Sequence, residues 1–139
     1  MCTEEAMRAT QILEEKGISI LHLHISTLKP FSDPIMLDAL SKAKHGIITM
    51  ENHTIIGGLG TATAENGIGT RLHRIGINDT YAHGASHPYL QKKYGLDAIA
   101  LVRRVEELLG KNFNISENDL ANVRLEEASA IGSEQLEAL

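Results

Sequence analysis

The feature that most constrains the fold is a strand, a glycine-rich turn and the start of a helix in direct succession. Residues 46–50 (Gly-Ile-Ile-Thr-Met) form a short β-branched run typical of a buried strand. The glycines Gly57, Gly58 and Gly60 follow, and they allow backbone N–H groups to turn towards the next helix. Residues 56–70 just provide the length of about 10 residues or more that a parallel crossover needs. The segment therefore predicts a β–α unit of a parallel sheet.

Polar side chains stand at the carboxyl end of this predicted strand. Glu51, Asn52 and His53 directly follow the apolar run. Ligands of open parallel sheets bind outside the carboxyl ends of the strands, and helix N-termini attract anions. Together with the glycine turn, these residues are a candidate anion-binding or interface edge. In the structural alternative, Glu51 and His53 hold the turn together through hydrogen bonds to backbone N–H groups.

The remaining hydrophobic pattern alternates between helices and strands. Thr3 can cap the first helix, Asp33 and Pro34 open the second, and Ser86 caps the fourth. Helices are expected at residues 3–16, 34–43, 61–66, 87–94 and 97–109, and strands at 18–25, 47–50 and 71–77. This alternation predicts a three-layer α/β/α fold with a mostly parallel sheet.

Net charge divides the chain into a body and an acidic C-terminal extension. Residues 1–111 contain 12 acidic and 12 basic residues, whereas residues 112–139 contain six acidic residues and a single arginine. We therefore predict a domain at 1–111 and an acidic extension at 112–139. Ser116 and Asp119 can start a helix in the extension, and its partly apolar face shows Leu120, Val123, Glu127 and Ile131. The extension is interpreted as a solvated or frayed segment, or alternatively as a segment that docks on a partner subunit.

Composition argues against several classes of function. The chain has no basic stripe, and its two phenylalanines and three tyrosines offer little stacking surface, so nucleic acid is not expected as a partner. No apolar run approaches the 18 residues of a membrane span, and the start of the chain is polar and acidic. We therefore expect a cytoplasmic protein without a membrane partner. The single cysteine, Cys2, is expected to be structural or incidental.

The histidines do not build a complete catalytic or metal site in the sequence. His22 and His24 have a spacing that can chelate, but their run contains no Cys, Asp or Glu, so we expect no metal. His83, Ser86 and His87 lie where a loop meets a helix N-terminus. They could clamp a phosphate or simply cap the helix.

The glycine turn does not fit a dinucleotide-binding fingerprint. The third glycine position after Gly58 and Gly60 is Thr63, and no acidic residue follows the next strand at the required distance. No catalytic constellation is complete, and we expect no catalytic residue in this chain.

Five segments resemble, in order, the C-terminal domain of transketolase and related thiamine-diphosphate enzymes. The resemblance covers residues 3–109. It rests on residues 27–30 (Thr-Leu-Lys-Pro), on Glu51-x-His53 followed by Ile-Ile-Gly-Gly-Leu-Gly at 55–60, and on segments 74–79, 81–90 and 93–97. The last two segments resemble the transketolase branch more than the deoxyxylulose-phosphate synthases or the 2-oxo acid dehydrogenases.

The resemblance implies a supporting role in a larger enzyme. It implies that thiamine diphosphate and Mg serve the complete enzyme and are not bound by this chain alone. The implied function is that of a non-catalytic C-terminal section of a split or truncated transketolase, which transfers two-carbon ketol units between sugar phosphates. The implied partner is the N-terminal and pyrimidine-domain section, in a homo- or hetero-oligomer. A free-standing regulatory module that binds an anion or sugar phosphate at the glycine turn is the alternative.

One element of the resembling domain has no counterpart in this sequence. That domain opens with a strand ahead of the helix that matches residues 3–16, and the first strand is missing here. Such a strand is normally internal to a doubly wound sheet, so its loss exposes unpaired backbone groups and apolar flanks. We therefore expect a truncated or split polypeptide, whose gap a partner, a swapped segment or a rearranged sheet would fill.

Overall fold

The computed structural model describes residues 1–125, which form six helices and two strands. Along the chain these are α1 (Cys2–Glu15), α2 (Pro34–Lys42), β1 (Ile47–Thr54), α3 (Leu59–Glu65), β2 (Leu72–Ile77), α4 (His87–Lys93), α5 (Ala98–Leu109) and α6 (Glu117–Ala121). The five helices expected in the body form within two residues of their predicted bounds. None of the helices in this part of the chain is long and apolar enough to span a bilayer.

Two of the three predicted N-cap residues, Asp33 and Ser86, stand directly before the helices that they were expected to start. Asp33 accepts hydrogen bonds from the N–H groups of Ile35 (2.8 Å) and Met36 (3.3 Å) at the start of α2. Ser86 is the N-cap residue of α4, although its side chain makes no capping hydrogen bond. The prediction that Thr3 caps α1 is wrong, because the helix begins one residue earlier and Thr3 lies inside it.

The two strands form a parallel pair, as the glycine turn predicted. Ile47 lies opposite Leu72, and Met50 lies opposite Ile75. β1 is longer than its apolar run and continues to Thr54. The polar residues 51–53 therefore belong to the last part of the strand and do not follow it.

The strand expected at residues 18–25 does not form, and this prediction is wrong. The segment is assigned to no helix or strand. Its composition is that of a strand, but a strand also needs a neighbour for its N–H and C=O groups. The only backbone hydrogen bond of this segment within the described part of the chain runs from the N–H of Ile18 to the carbonyl of Leu13 (2.9 Å).

Helices cover both faces of the sheet. On one face Ile75 joins a buried core with Leu13 of α1 and Val102 of α5, both of which are fully buried. Arg74 precedes Ile75 and therefore points to the other face, where its side chain lies against Gly60 of α3. The arrangement of α1 and α5, then the sheet, then α3 confirms the predicted three-layer α/β/α fold with a parallel sheet.

Residues 113–123 pack on the body of the domain. Ile115 and Leu120 are buried and belong to the same core as α1 and α5. The predicted capping box also forms, since Ser116 and Asp119 exchange hydrogen bonds at the start of α6. A solvated or frayed segment is therefore the wrong interpretation for these residues. Glu127 and Ile131, also assigned to this face, lie outside the described residues, and the division at residue 111 stays a prediction.

Candidate functional site

Glu51 lies at the centre of the candidate edge, and its carboxylate is hydrogen-bonded to the glycine turn. Its carboxylate accepts hydrogen bonds from the backbone N–H groups of Leu59 (2.8 Å) and Gly60 (3.1 Å), at the first turn of α3. The side chain is only 10% exposed. Negative charge is favourable at a helix N-terminus, and here a carboxylate of the same chain supplies it. Glu51 therefore makes the contacts of the structural alternative, with two of the N–H groups that an external anion would use.

The close approach of two side chains explains two of the glycines. A Cβ atom on Gly58 would lie 1.9 Å from Oε2 of Glu51, and a Cβ atom on Gly60 would lie 2.7 Å from Cδ of Arg74. Both distances are below 3.0 Å, a separation that real Cβ atoms essentially never show. Gly57 has a different role, because its φ of +78° is a backbone conformation that favours glycine.

His53 and Asn52 face outward beside the carboxylate. Nδ1 of His53 lies 2.7 Å from the carbonyl oxygen of Thr54, so the ring donates a hydrogen bond there. The same nitrogen lies 3.9 Å from Oε2 of Glu51. The ring is 57% exposed, and Asn52 is exposed as well. These two side chains leave polar groups on the surface at the end of β1.

Arg74 and Thr61 complete the turn, and sequence reasoning did not assign them to it. Nη1 of Arg74 donates to the carbonyl of Ile55 (3.1 Å) and to Oγ1 of Thr61 (3.3 Å). Oγ1 of Thr61 also accepts from the N–H of Gly57 (3.0 Å). The available signal was an arginine on the neighbouring strand, on the face that the glycine helix covers. The two bonds of Arg74 hold the turn against β2.

The second predicted group lies in a separate region. His83, Ser86 and His87 are exposed, and Nε2 of His83 is 3.2 Å from Nζ of Lys93. The ring of His83 also faces that of Tyr89 at 6.5 Å. No hydrogen bond within residues 1–125 connects this loop with the glycine turn. The predicted site residues thus form two groups, of which only the group around Glu51 is built from several elements.

The surroundings of Cys2 and His22 reduce the reactivity of these two side chains. Burial raises the pKa of the Cys2 thiol, which keeps it protonated and weakly nucleophilic at neutral pH. Burial lowers the pKa of His22, and the neighbouring His24 lowers it further, so His22 is neutral at pH 7. Within residues 1–125, no three His, Cys, Asp or Glu residues are grouped so that they could hold a metal ion.

The described residues define a class of fold, a parallel α/β/α domain whose glycine turn is closed by its own carboxylate. The family model for the transketolase C-terminal domain matches residues 1–101. The chain belongs to the transketolase C-terminal domain family.

Similar proteins include sections and subunits of transketolases. A Methanocaldococcus jannaschii protein, provisionally named as a transketolase C-terminal section, is 41% identical over 111 residues, covering 77% of this chain and 34% of that protein. The 6-deoxy-6-sulfo-D-fructose transketolase subunit SqwH of Clostridium sp. (strain MSTE9) is 35% identical over 113 residues, covering 78% of this chain and 35% of that subunit.

A solved structure shows the same fold. A split-gene transketolase, in an inactive beta4 tetramer, matches with a TM-score of 0.66 and 31% sequence identity, over 78% of this chain and 35% of that one. The chain therefore spans about a third of the length of these relatives. It corresponds to the C-terminal section of split transketolase-family proteins, and these relatives belong to the thiamine-diphosphate enzymes.

Proposed function

We propose that this chain is a non-catalytic C-terminal section of a split transketolase-type enzyme. It supports the assembly of an enzyme that transfers two-carbon ketol units between sugar phosphates. Its partner is a polypeptide that carries the N-terminal and pyrimidine-binding regions, and the product is a homo- or hetero-oligomer. The observation that carries this proposal is family membership combined with coverage of only about a third of the relatives.

The geometry of the candidate edge supports a structural role. Glu51 is the acidic residue of the candidate edge, and each of its carboxylate oxygens accepts a hydrogen bond from the backbone N–H of Leu59 or Gly60. A general base needs a lone pair free to reach a substrate proton, and this carboxylate is largely covered. The alternative function, an anion-binding regulatory module, would require an anion to compete with Glu51. It stays a hypothesis, and no contact among residues 1–125 favours it.

We propose no thiamine diphosphate or Mg site among the described residues. Within residues 1–125, no three His, Cys, Asp or Glu side chains are grouped so that they could hold a metal ion. The turn that could cradle a phosphate is closed by Glu51. In our proposal the cofactor is held by the partner polypeptide, and no step of the reaction runs through a residue of this chain.

Reconstitution of activity tests the proposed function. The full chain is mixed with a partner section, defined as a transketolase polypeptide that carries the cofactor-binding and pyrimidine-binding regions and ends before its C-terminal domain. Ketol transfer between sugar phosphates is followed with thiamine diphosphate and Mg present. We expect activity in the mixture only. Controls contain each polypeptide alone, or the partner section with an unrelated α/β domain of similar size.

Two results would contradict this function. Ketol transfer by the chain alone would show that it holds catalytic machinery of its own. Equal activity of the partner section with and without the chain would show that the enzyme does not use it. The mass of the mixture is measured on the same samples, and separate masses for the two polypeptides would also contradict the proposed assembly.

A further inference from the structure

A cleft lies at the amino ends of the two strands, at the end of the sheet opposite to Glu51. Lys44 and His45 stand shortly before β1, and Arg71 directly precedes β2. The N–H of Ile47 donates to the carbonyl of Arg71 (2.8 Å), so the two segments that lead into the strands lie side by side. The cleft has a volume of about 730 Å³, within the range of roughly 300 to 1,000 Å³ of small-molecule clefts. Its size therefore suits a small ligand.

Positive charge is concentrated at this cleft. Lys44, His45 and Arg71 line it and are exposed, and none of the described residues that line it is acidic. Lysine and arginine side chains carry a positive charge at neutral pH, and the imidazole of histidine can donate a hydrogen bond. Within residues 1–125, these three side chains take part in no ion pair. We call this place the basic cleft.

Cations at other places on the described surface are paired with carboxylates of the same chain. Nζ of Lys92 lies 2.8 Å from the carboxylate of Glu117, and Nη1 of Arg104 lies 2.7 Å from the carboxylate of Glu107. Glu107 precedes Leu108, which lines the basic cleft, but its carboxylate is bound to Arg104. The basic cleft differs from these places because no carboxylate among residues 1–125 pairs with its cations.

The backbone of the basic cleft adds hydrogen-bond donors on one wall and rigidity on the other. Gly69 and Thr70 lead into Arg71, and their N–H groups donate to no backbone carbonyl within residues 1–125. A Cβ atom added to Gly69 would meet nothing within 4 Å, so the space beside this backbone is open. On the other wall, a Cβ atom on Gly46 would collide with the side chain of Leu108. Close packing on α5 therefore holds the segment before β1 in place.

We infer that the basic cleft binds the phosphate group of a phosphorylated small molecule. A phosphate monoester carries a charge of about −1.5 to −2 at pH 7, which matches the positive charges of Lys44 and Arg71. A guanidinium group can hold two phosphate oxygens at once, and a lysine ammonium acts as a point charge. Backbone N–H groups that face a concave surface also bind anions. Ile68 and Leu108 line the cleft and offer apolar surface to the organic part of the ligand.

The basic cleft is independent of the proposed function and of the glycine turn. Only residues of this chain form it. At the glycine turn, by contrast, Glu51 already accepts the hydrogen bonds of Leu59 and Gly60. Substrates of open α/β sheets bind outside the carboxyl ends of the strands, whereas this cleft lies at the amino ends. The phosphorylated molecule is therefore expected to be an effector and not a substrate.

Titration with two phosphate probes tests the inference on the full chain. Inorganic phosphate and phenyl phosphate are added separately, and amide chemical shifts are followed by NMR. We expect saturable changes at Gly69, Thr70 and Arg71, and phenyl phosphate should bind at least fivefold more tightly because its ring can pack on Ile68 and Leu108. Equal affinity of the two probes would identify free phosphate as the ligand and would support phosphate recognition. The absence of a saturable change at these amides would overturn the inference.

Matched charge substitutions separate a defined site from general electrostatic attraction. Arg71→Gln and Lys44→Gln each remove one positive charge from the basic cleft, and each should weaken the binding of phenyl phosphate at least fivefold. Arg104→Gln and Lys92→Gln remove the same charge away from the cleft and should change the affinity less than twofold. Equal weakening by all four substitutions would overturn the inference. Because the two exposed cleft residues are replaced separately, either variant provides the test where the other fails to fold.

The remaining outcomes distinguish this inference from its alternatives. Saturable changes at Leu59 and Gly60, in place of Gly69 and Thr70, would move the anion to the glycine turn and overturn the basic cleft. A polyglutamate peptide that binds as tightly as phenyl phosphate and competes with it would make an acidic polypeptide the occupant and overturn the phosphate assignment. Phosphate binding at the cleft, combined with an inert mixture in the ketol-transfer assay, would support the cleft and reject the proposed function.

Discussion

At the scale of single residues, Glu51 shows how a site-like pattern becomes structure. A carboxylate at a strand end followed by closely spaced glycines is a pattern that can serve ligand binding. Here the carboxylate reaches the N–H groups of Leu59 and Gly60 and closes the turn. The sequence predicted where these groups meet. It left open which of them would bond, because that depends on side-chain torsions within a few ångströms.

Replacing Glu51 tests its role as the cap of α3. We expect Glu51→Gln to lower the free energy of unfolding by about 1–2 kcal/mol, because hydrogen bonds to a charged acceptor are stronger than those to an amide oxygen. Urea denaturation measures this change. The matched control is Asn52→Ala, an exposed neighbour on the same strand, which should change stability by about 0.5 kcal/mol or less. Equal losses of unfolding free energy for the two substitutions would show that Glu51 does not cap α3.

Gly58 offers a steric test of the same contact. Gly58→Ala places a Cβ atom 1.9 Å from the Glu51 carboxylate, and we expect a loss of about 1–3 kcal/mol in denaturation experiments. The control is Gly84→Ala, where an added Cβ atom meets nothing within 4 Å. The loss at Gly58 should shrink in a Glu51→Ala background, since the clashing group is then absent. Simple additivity would show that the strain arises elsewhere.

At the scale of elements, local signals predicted helices better than strands. Helices satisfy their own backbone groups, so capping residues and periodicity located α1 to α5 within two residues. A strand depends on a neighbour that local sequence does not contain. Residues 18–25 have the composition of a strand and remain irregular, because no strand in the described part of the chain pairs with them. The core contacts of Ile115 and Leu120 were missed for a related reason, since charge dominated the interpretation of that region.

Glu106 joins α5 to the segment that follows it. Its carboxylate accepts from Arg103 (2.6 Å) and from the N–H of Phe113 (2.7 Å). Burial raises the pKa of Glu106, but the hydrogen bonds from Arg103 and Phe113 outweigh burial, so the pKa lies below its ordinary value. The ionised carboxylate therefore stabilises the fold above the ordinary glutamate pKa of about 4.3. This contribution is lost as the pH falls through the lower pKa of the folded state.

The prediction for Glu106 is a loss of stability and of part of its pH dependence. Glu106→Gln should lower the free energy of unfolding by about 1 kcal/mol at pH 7. Below about pH 5, the free energy of unfolding of this variant should fall less steeply with decreasing pH than that of the unsubstituted protein. Urea denaturation across pH measures both effects. Glu107→Gln is the matched control, because Glu107 is 63% exposed and pairs only with Arg104. Such surface pairs contribute about 0–1 kcal/mol. Identical pH profiles for the two variants would contradict the role of Glu106.

At the scale of the whole molecule, the chain is a member of the transketolase C-terminal domain family, and its matched region covers about a third of the length of the relatives. Within residues 1–125, no three His, Cys, Asp or Glu residues are grouped so that they could hold a metal ion. Both observations agree with the proposed role as one section of a larger enzyme.

The measurement that tests this account most directly is the molar mass of the chain mixed with the partner section, determined by light scattering after size-exclusion chromatography. We predict a single species whose molar mass corresponds to a complex of both polypeptides, and the peaks of the separate polypeptides should decrease. Elution of each polypeptide at the mass it has alone, at concentrations well above micromolar, would contradict the claim that this chain is a section of a larger assembly.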